Sequence, residues 1–105
     1  MQKYSFTAYV QHMISFYLHT KGTKPAVFRT EADKANWEAV DAVVKRHEAA
    51  GDTDVLIALE INRGDGFIKD KVDDYVALHI DTNKDAVWTA IRNVEREIAK
   101  ERGLI

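Results

Sequence analysis

Cysteine is absent from this chain of 105 residues. That excludes a disulfide framework, a thiolate zinc site and a cysteine nucleophile, and it fits a cytoplasmic location. Serine occurs only at Ser5 and Ser15, and neither has a nearby histidine and acid that would make it a nucleophile. No phosphate-cradling glycine loop is present either, so nothing argues for an enzyme. Long apolar runs are also missing. The stretch from Tyr4 to Thr20 holds no Lys, Arg, Asp or Glu, but Gln11, His12, Ser15 and His19 make it too polar for a membrane span. It lacks a charged leader and a small-residue cleavage site, so a signal peptide is not expected.

An excess of positive charge is lacking too. The net charge is −2, which is not the footprint of a strong autonomous DNA binder. The charge is unevenly spread. Residues 1–30 hold four bases and no acid, whereas 31–62 hold eight acids against three bases. Residues 83–105 are slightly basic, with five bases and four acids.

Potential ligand sites fail on spacing. His12, His19, His47 and His79 show no metal-ligand spacing, and structural roles are their default. With Gly66 as the glycine of a calcium loop, the first, third and last ligand positions fall on Ile61, Arg63 and Val72, so that loop fails. The tripeptide Arg63-Gly64-Asp65 is chance. Neither a metal nor a cofactor is expected.

What is present is helical patterning. Apolar residues make up 46% of the chain and charged residues 30%, a composition that folds. Single proline, no repeat and no low-complexity tract point to one all-α domain over 1–105 with five helices. Ser5 caps a first helix running to about His19, with Phe6, Tyr9, Val10, Met13, Phe16 and Tyr17 at helical spacing. Gly22 and Pro25 make Thr20 to Val27 a loop. Thr30 caps a second helix that stops at Gly51, with Trp37, Val40 and Val44 inside. Thr53 caps a third, Asp54 to Asn62. Its apolar run would also suit a strand, but no second strand exists to pair with it. Arg63 to Gly66 form a loop, and a fourth helix covers about Lys69 to His79. Asn83 caps the fifth, which ends at Arg102 and Gly103. Val87, Ile91, Val94 and Ile98 form its stripe.

The last two helices fit a helix-turn-helix within 68–102. Ala77 is small where the first helix meets the second. Asp81 occupies the turn position where glycine or asparagine is commonest. Thr82 stands where an isoleucine or valine is usual. Asn83 caps the second helix, and Val87 plugs the core one turn in.

The order of elements from about Val27 to Ile105 resembles region 4 of sigma factors. It is similar, more specifically, to small phage and prophage transcriptional regulators of the RinA type, on the segments "FRTEADKANWEAVDAVVKR" and "VWTAIRNVEREIAKERGLI". The resemblance implies a DNA-binding, phage-type transcription regulator or sigma-like accessory factor. Its partners would be double-stranded DNA, with RNA polymerase as a further partner. The DNA-facing residues it implies are Asn83, Lys84, Asp85, Trp88, Thr89 and Arg92. Side-chain chemistry suits several of them. Lys84 and Arg92 reach phosphate or guanine, and Asn83 and Thr89 donate to either. The amides of Lys84 and Asp85 open a helix N-terminus, which attracts phosphate. Asp85 itself repels phosphate. The competing reading is a plain helical hairpin in a non-enzymatic interaction module, an adaptor or a homodimer through the aromatic first helix. Trp88 then serves as half-buried packing, and Asp70, Asp73 and Asp74 as a solvated helix start or a face for a basic partner.

Overall fold

The computed structural model describes residues 6–63 and 67–105. These form α1 (Thr7–His19), α2 (Glu31–Ala50), α3 (Asp54–Ile61), α4 (Ile68–Leu78) and α5 (Lys84–Arg102), with no strand among them. No helix is long and apolar enough to cross a membrane.

Local chemistry sets most of the helix ends. The Thr30 hydroxyl accepts from the Asp33 amide at 3.0 Å and opens α2. The Asn83 side-chain carbonyl accepts from the Ala86 amide at 2.9 Å and opens α5. Each such cap contributes about 1 kcal/mol. Gly51 and Gly103 close the same two helices in the left-handed region, at φ of 70° and 84°. The start of α3 differs from expectation. Thr53 makes no side-chain cap bond, and its backbone is already near-helical at φ −88°, ψ −7°, which aims the hydroxyl away from the first amides. Asp52 takes over, accepting from the Asp54 amide at 2.9 Å. Ser5 and the glycines of the Arg63 to Gly66 loop lie outside the described residues.

Two apolar clusters hold the helices. The larger joins Val10, Met13, Ile14 and Tyr17 of α1, Trp37, Val40, Val43 and Val44 of α2, Val55 and Ala58 of α3, and Val94, Ile98 and Ala99 of α5. The smaller joins Ile61, Val72, Val87 and Ile91, with Ile68, Tyr75, Val76 and Trp88 packed on it. The expected stripe of α5 is therefore divided: Val87 and Ile91 serve one cluster, Val94 and Ile98 the other. One long helix ties the α3–α4 corner to the α1–α2 hairpin. Fully burying each such side chain contributes roughly 1.5–3 kcal/mol.

Polar contacts fasten the loop between α1 and α2. The Trp37 indole N–H donates to the Thr20 hydroxyl at 2.9 Å, and that hydroxyl donates to the Tyr17 carbonyl at 2.8 Å. Tyr17 donates to Asp41 at 2.8 Å. The aromatic face of α1 mostly turns inward, with Tyr17 buried and Phe6 and Phe16 packed on the core. Tyr9 is the exception, 42% exposed and hydrogen-bonded at its hydroxyl by the Asn36 amide at 3.0 Å.

Candidate nucleic-acid interface

The helix pair α4–α5 is joined by residues 79–83. Val87 is fully buried between Ile61, Val72 and Ile91, as a core plug one turn into the second helix must be. Ala77 does not fill the place expected of it. It is exposed, and the inner face of α4 is carried by Val72, Tyr75 and Val76 instead. Helix spacing explains the shift: Ala77 lies five residues after Val72, on the far side of the helix.

The start of α5 is acidic. Asp70, Asp73, Asp74, Asp81 and Asp85 are all exposed. Lys84 does not join an outward ridge. It turns back onto α4, with its ammonium 2.9 Å from an Asp73 carboxylate oxygen. Asn83 is exposed, but its side-chain oxygen is committed to the cap.

Arg92 lies one to two turns further on. Its guanidinium carbon sits 4.9 Å from the centre of the Trp88 ring, and Nη1 donates to Glu95 at 3.0 Å. Trp88 is half-buried, packed on the smaller cluster. Glu95 is only 1% exposed. Its other oxygen accepts from the Gln11 amide at 3.0 Å. Burial pushes the Glu95 carboxyl above its ordinary pKa, and the bonds from Gln11 and Arg92 pull the other way. A cleft of about 560 Å³ lies over this network, walled by Phe6 and Thr7 on one side and Trp88, Arg92, Asn93 and Arg96 on the other.

The remaining acids of α5 face away from this surface. Glu97 meets Arg46 at 3.3 Å and His47 at 2.9 Å, and Glu101 pairs with Arg46, all on α2. Thr89, Asn93, Arg96 and Lys100 are exposed. At about 100° per residue, Thr89, Arg96 and Lys100 fall within roughly 40° of one another, whereas Lys84 points roughly 140° away from Thr89. Arg96 and Lys100 enter no ion pair among the described residues. Asp85, Thr89 and Arg92 thus share a broad outward face with three residues that the resemblance did not supply: Asn93, Arg96 and Lys100. The signal for those was the helical spacing from Thr89, about one, two and three turns on.

Comparison of the chain with known protein families, curated proteins and solved structures finds no match.

Proposed function

We propose that this chain is a DNA-binding transcription regulator or sigma-like accessory factor that reads double-stranded DNA with α5. The observation that carries the reading is the sorting of charge on that helix. Glu95 is buried and Glu97 and Glu101 are turned to α2, so the outward face from Thr89 to Lys100 carries Arg92, held by Glu95, and Arg96 and Lys100, which enter no ion pair among the described residues. Such a face suits phosphate and guanine contacts, with Thr89 and Asn93 as further donors. The buried Val87 plug supports the helix-turn-helix reading, and so does the resemblance to RinA-type regulators.

In this reading the contacts centre one to two turns later than the resemblance places them. Lys84 and Asn83 contribute little, because Asp73 and the cap hold them. Asp85 stays on the same broad face and opposes phosphate at its N-terminal end. An adaptor built on α1 has less support, since Val10, Met13, Ile14 and Tyr17 are consumed by the core.

The test is selection of binding sites from a random duplex pool at low salt, followed by comparison of the parent with Arg96→Ala/Lys100→Ala. The double variant should keep its melting temperature and bind the selected site more weakly, with a salt slope smaller by about two. A parent that enriches no sequence and retains no DNA overturns the reading. So does a double variant that binds as tightly as the parent.

A further inference from the structure

Away from the basic face of α5, apolar side chains of α3 and of the end of α4 stand in solvent. Ile80 is 99% exposed, Leu78 80% and Leu56 55%. Leu56 belongs to the α3 face that also carries Thr53, Ile57 and Glu60, at spacings of three and four residues. That face and the Tyr75 and His79 side chains of the α4 end wall a groove of about 590 Å³, closed by Asp81 and Thr82.

The α4 wall is fixed in form. The Tyr75 and His79 rings stack with centroids 3.9 Å apart. His79 Nδ1 lies 2.8 Å from the Tyr75 carbonyl oxygen, which can only accept, so Nδ1 carries the proton and donates. The stacked pair therefore presents one flat surface. The opposite wall rests on Val55 and Ala58, which are buried in the main core.

The lining is mixed: Leu56, Ile57 and the Tyr75 ring are apolar, and the charged side chains among the rest are acidic. Glu60 and Asp81 are its acids and no lysine or arginine lines it, although the exposed Arg63 guanidinium reaches Glu60 at 3.6 Å from outside. An exposed apolar surface with a polar rim marks an interaction site. Its shape and charge narrow the occupant. A groove between two helices accepts a third helix, which docks through side chains at i, i+3 or i+4 and i+7. The described residues offer no sheet edge that a strand could extend. A second copy docked through the same groove would set two acidic linings face to face, which like charges oppose.

We infer that the α3–α4 groove docks an amphipathic helix of another protein, with an apolar stripe for Leu56, Ile57 and Tyr75 and with Lys or Arg flanking the stripe. The inference does not depend on DNA binding. The groove ends at Thr82, before α5 begins, and Arg96 lies roughly 18 Å along that helix from its first residue, Lys84, at about 1.5 Å per residue.

The test is a titration of the isotope-labelled full chain with a panel of helical peptides. One set carries an apolar stripe flanked by lysine and arginine. A second has glutamate in place of those bases, and a third keeps the bases but breaks the stripe. The basic, striped peptides should bind best and move the amide signals of Leu56, Ile57, Tyr75 and His79. Leu56→Glu should weaken them by roughly tenfold or more without changing the melting temperature, because that side chain is exposed and acts as an interface anchor. Glu60→Lys/Asp81→Lys should reverse the preference toward the glutamate set. The inference is overturned if the glutamate set or the stripeless set binds equally well, if the shifts lie elsewhere, or if Leu56→Glu changes nothing. A parent that sediments as a dimer, and that Leu56→Glu returns to a monomer, would assign the groove to a second copy and overturn it as well.

Discussion

Arg92 and Glu95 stand one turn apart on α5 and meet at 3.0 Å, yet the arginine side chain keeps 38% of its surface in solvent and the glutamate 1%. The pair is therefore unequal. Arg92 can be re-solvated if it loses its partner, whereas Glu95 depends on Gln11 and Arg92 for every compensating bond.

Glu95→Gln should accordingly leave the protein within about 1 kcal/mol of the parent at neutral pH, since a neutral amide fits a site that already disfavours charge. The pH dependence follows from the direction of the shift. The folded state holds the Glu95 proton more tightly than the unfolded chain does, because burial raises its pKa. Its contribution to stability is then full below the ordinary carboxylate range and is lost as pH rises through the raised value. Parent and variant melts should diverge in the parent's favour as the pH is lowered from neutral toward that range. A constant gap would show that Glu95 is not desolvated as the packing implies.

Helix caps give a second, sharper contrast. Thr30→Ala and Asn83→Ala should each cost about 1 kcal/mol, because each removes an observed bond to a first-turn amide. Thr53→Ala should cost little, and Asp52→Ala more, since Asp52 holds the Asp54 amide. Chemical denaturation of the four variants checks the order. Equal losses at Thr53 and Asp52 would contradict the observed start of α3.

Tyr17 is expected to resist ionisation. Burial and the bond to Asp41 both raise its pKa, burial more strongly. As pH rises past the ordinary phenol range, the unfolded chain sheds this proton and the folded chain keeps it, so stability falls. Absorbance titration should count one tyrosine fewer than in denaturant until the protein unfolds. Tyr17→Phe should cost about 1 kcal/mol at neutral pH and lose that alkaline sensitivity.

The pattern of success at these sites has a physical basis. Caps such as Thr30 and Asn83, stops such as Gly51 and Gly103, and the α5 stripe were legible because each depends on neighbours within one or two turns. The helical state of Asp54 to Ile61 was legible by elimination of a strand partner. Pairings between elements were not. Nothing local to Lys84 reveals Asp73, and nothing near Glu95 reveals Gln11, 84 residues earlier in the chain. Glu95 also occupies a buried position that its residue type argues against. Ala77 shows the limit of motif matching, because a small residue at the right place in the list was exposed once the helix phase was fixed by Val72.

Val87→Asp should abolish cooperative folding of the α3–α5 corner. The side chain is fully buried among Ile61, Val72 and Ile91, with no polar partner in that cluster. An unpaired carboxylate there costs several kcal/mol, comparable with the whole stability of a small domain. Circular dichroism melts read the loss, and Val87→Ile serves as a control that keeps the site apolar. A Val87→Asp protein melting within a few degrees of the parent would mean that α5 is rotated from the phase described.

Lys84 and Asp73 offer the most direct check on the proposed contact of α5 with DNA. Their contact of 2.9 Å joins side chains 58% and 45% exposed, so it adds no more than about 1 kcal/mol to stability. Its consequence is electrostatic: the lysine expected to touch phosphate is neutralised and aimed at α4. Lys84→Ala should therefore bind a selected duplex nearly as well as the parent. Asp73→Asn removes an acid and releases the ammonium, and it should bind more tightly, with a salt slope larger by up to about one. Arg96→Ala alone should weaken binding and lower the slope by about one, because no described residue neutralises it. The four proteins, measured side by side over a range of salt, should rank from tightest to weakest as Asp73→Asn, parent with Lys84→Ala close behind, and Arg96→Ala. If Lys84→Ala instead loses as much affinity as Arg96→Ala, the start of α5 is the part that approaches the duplex. The basic stretch from Thr89 to Lys100 would then be peripheral.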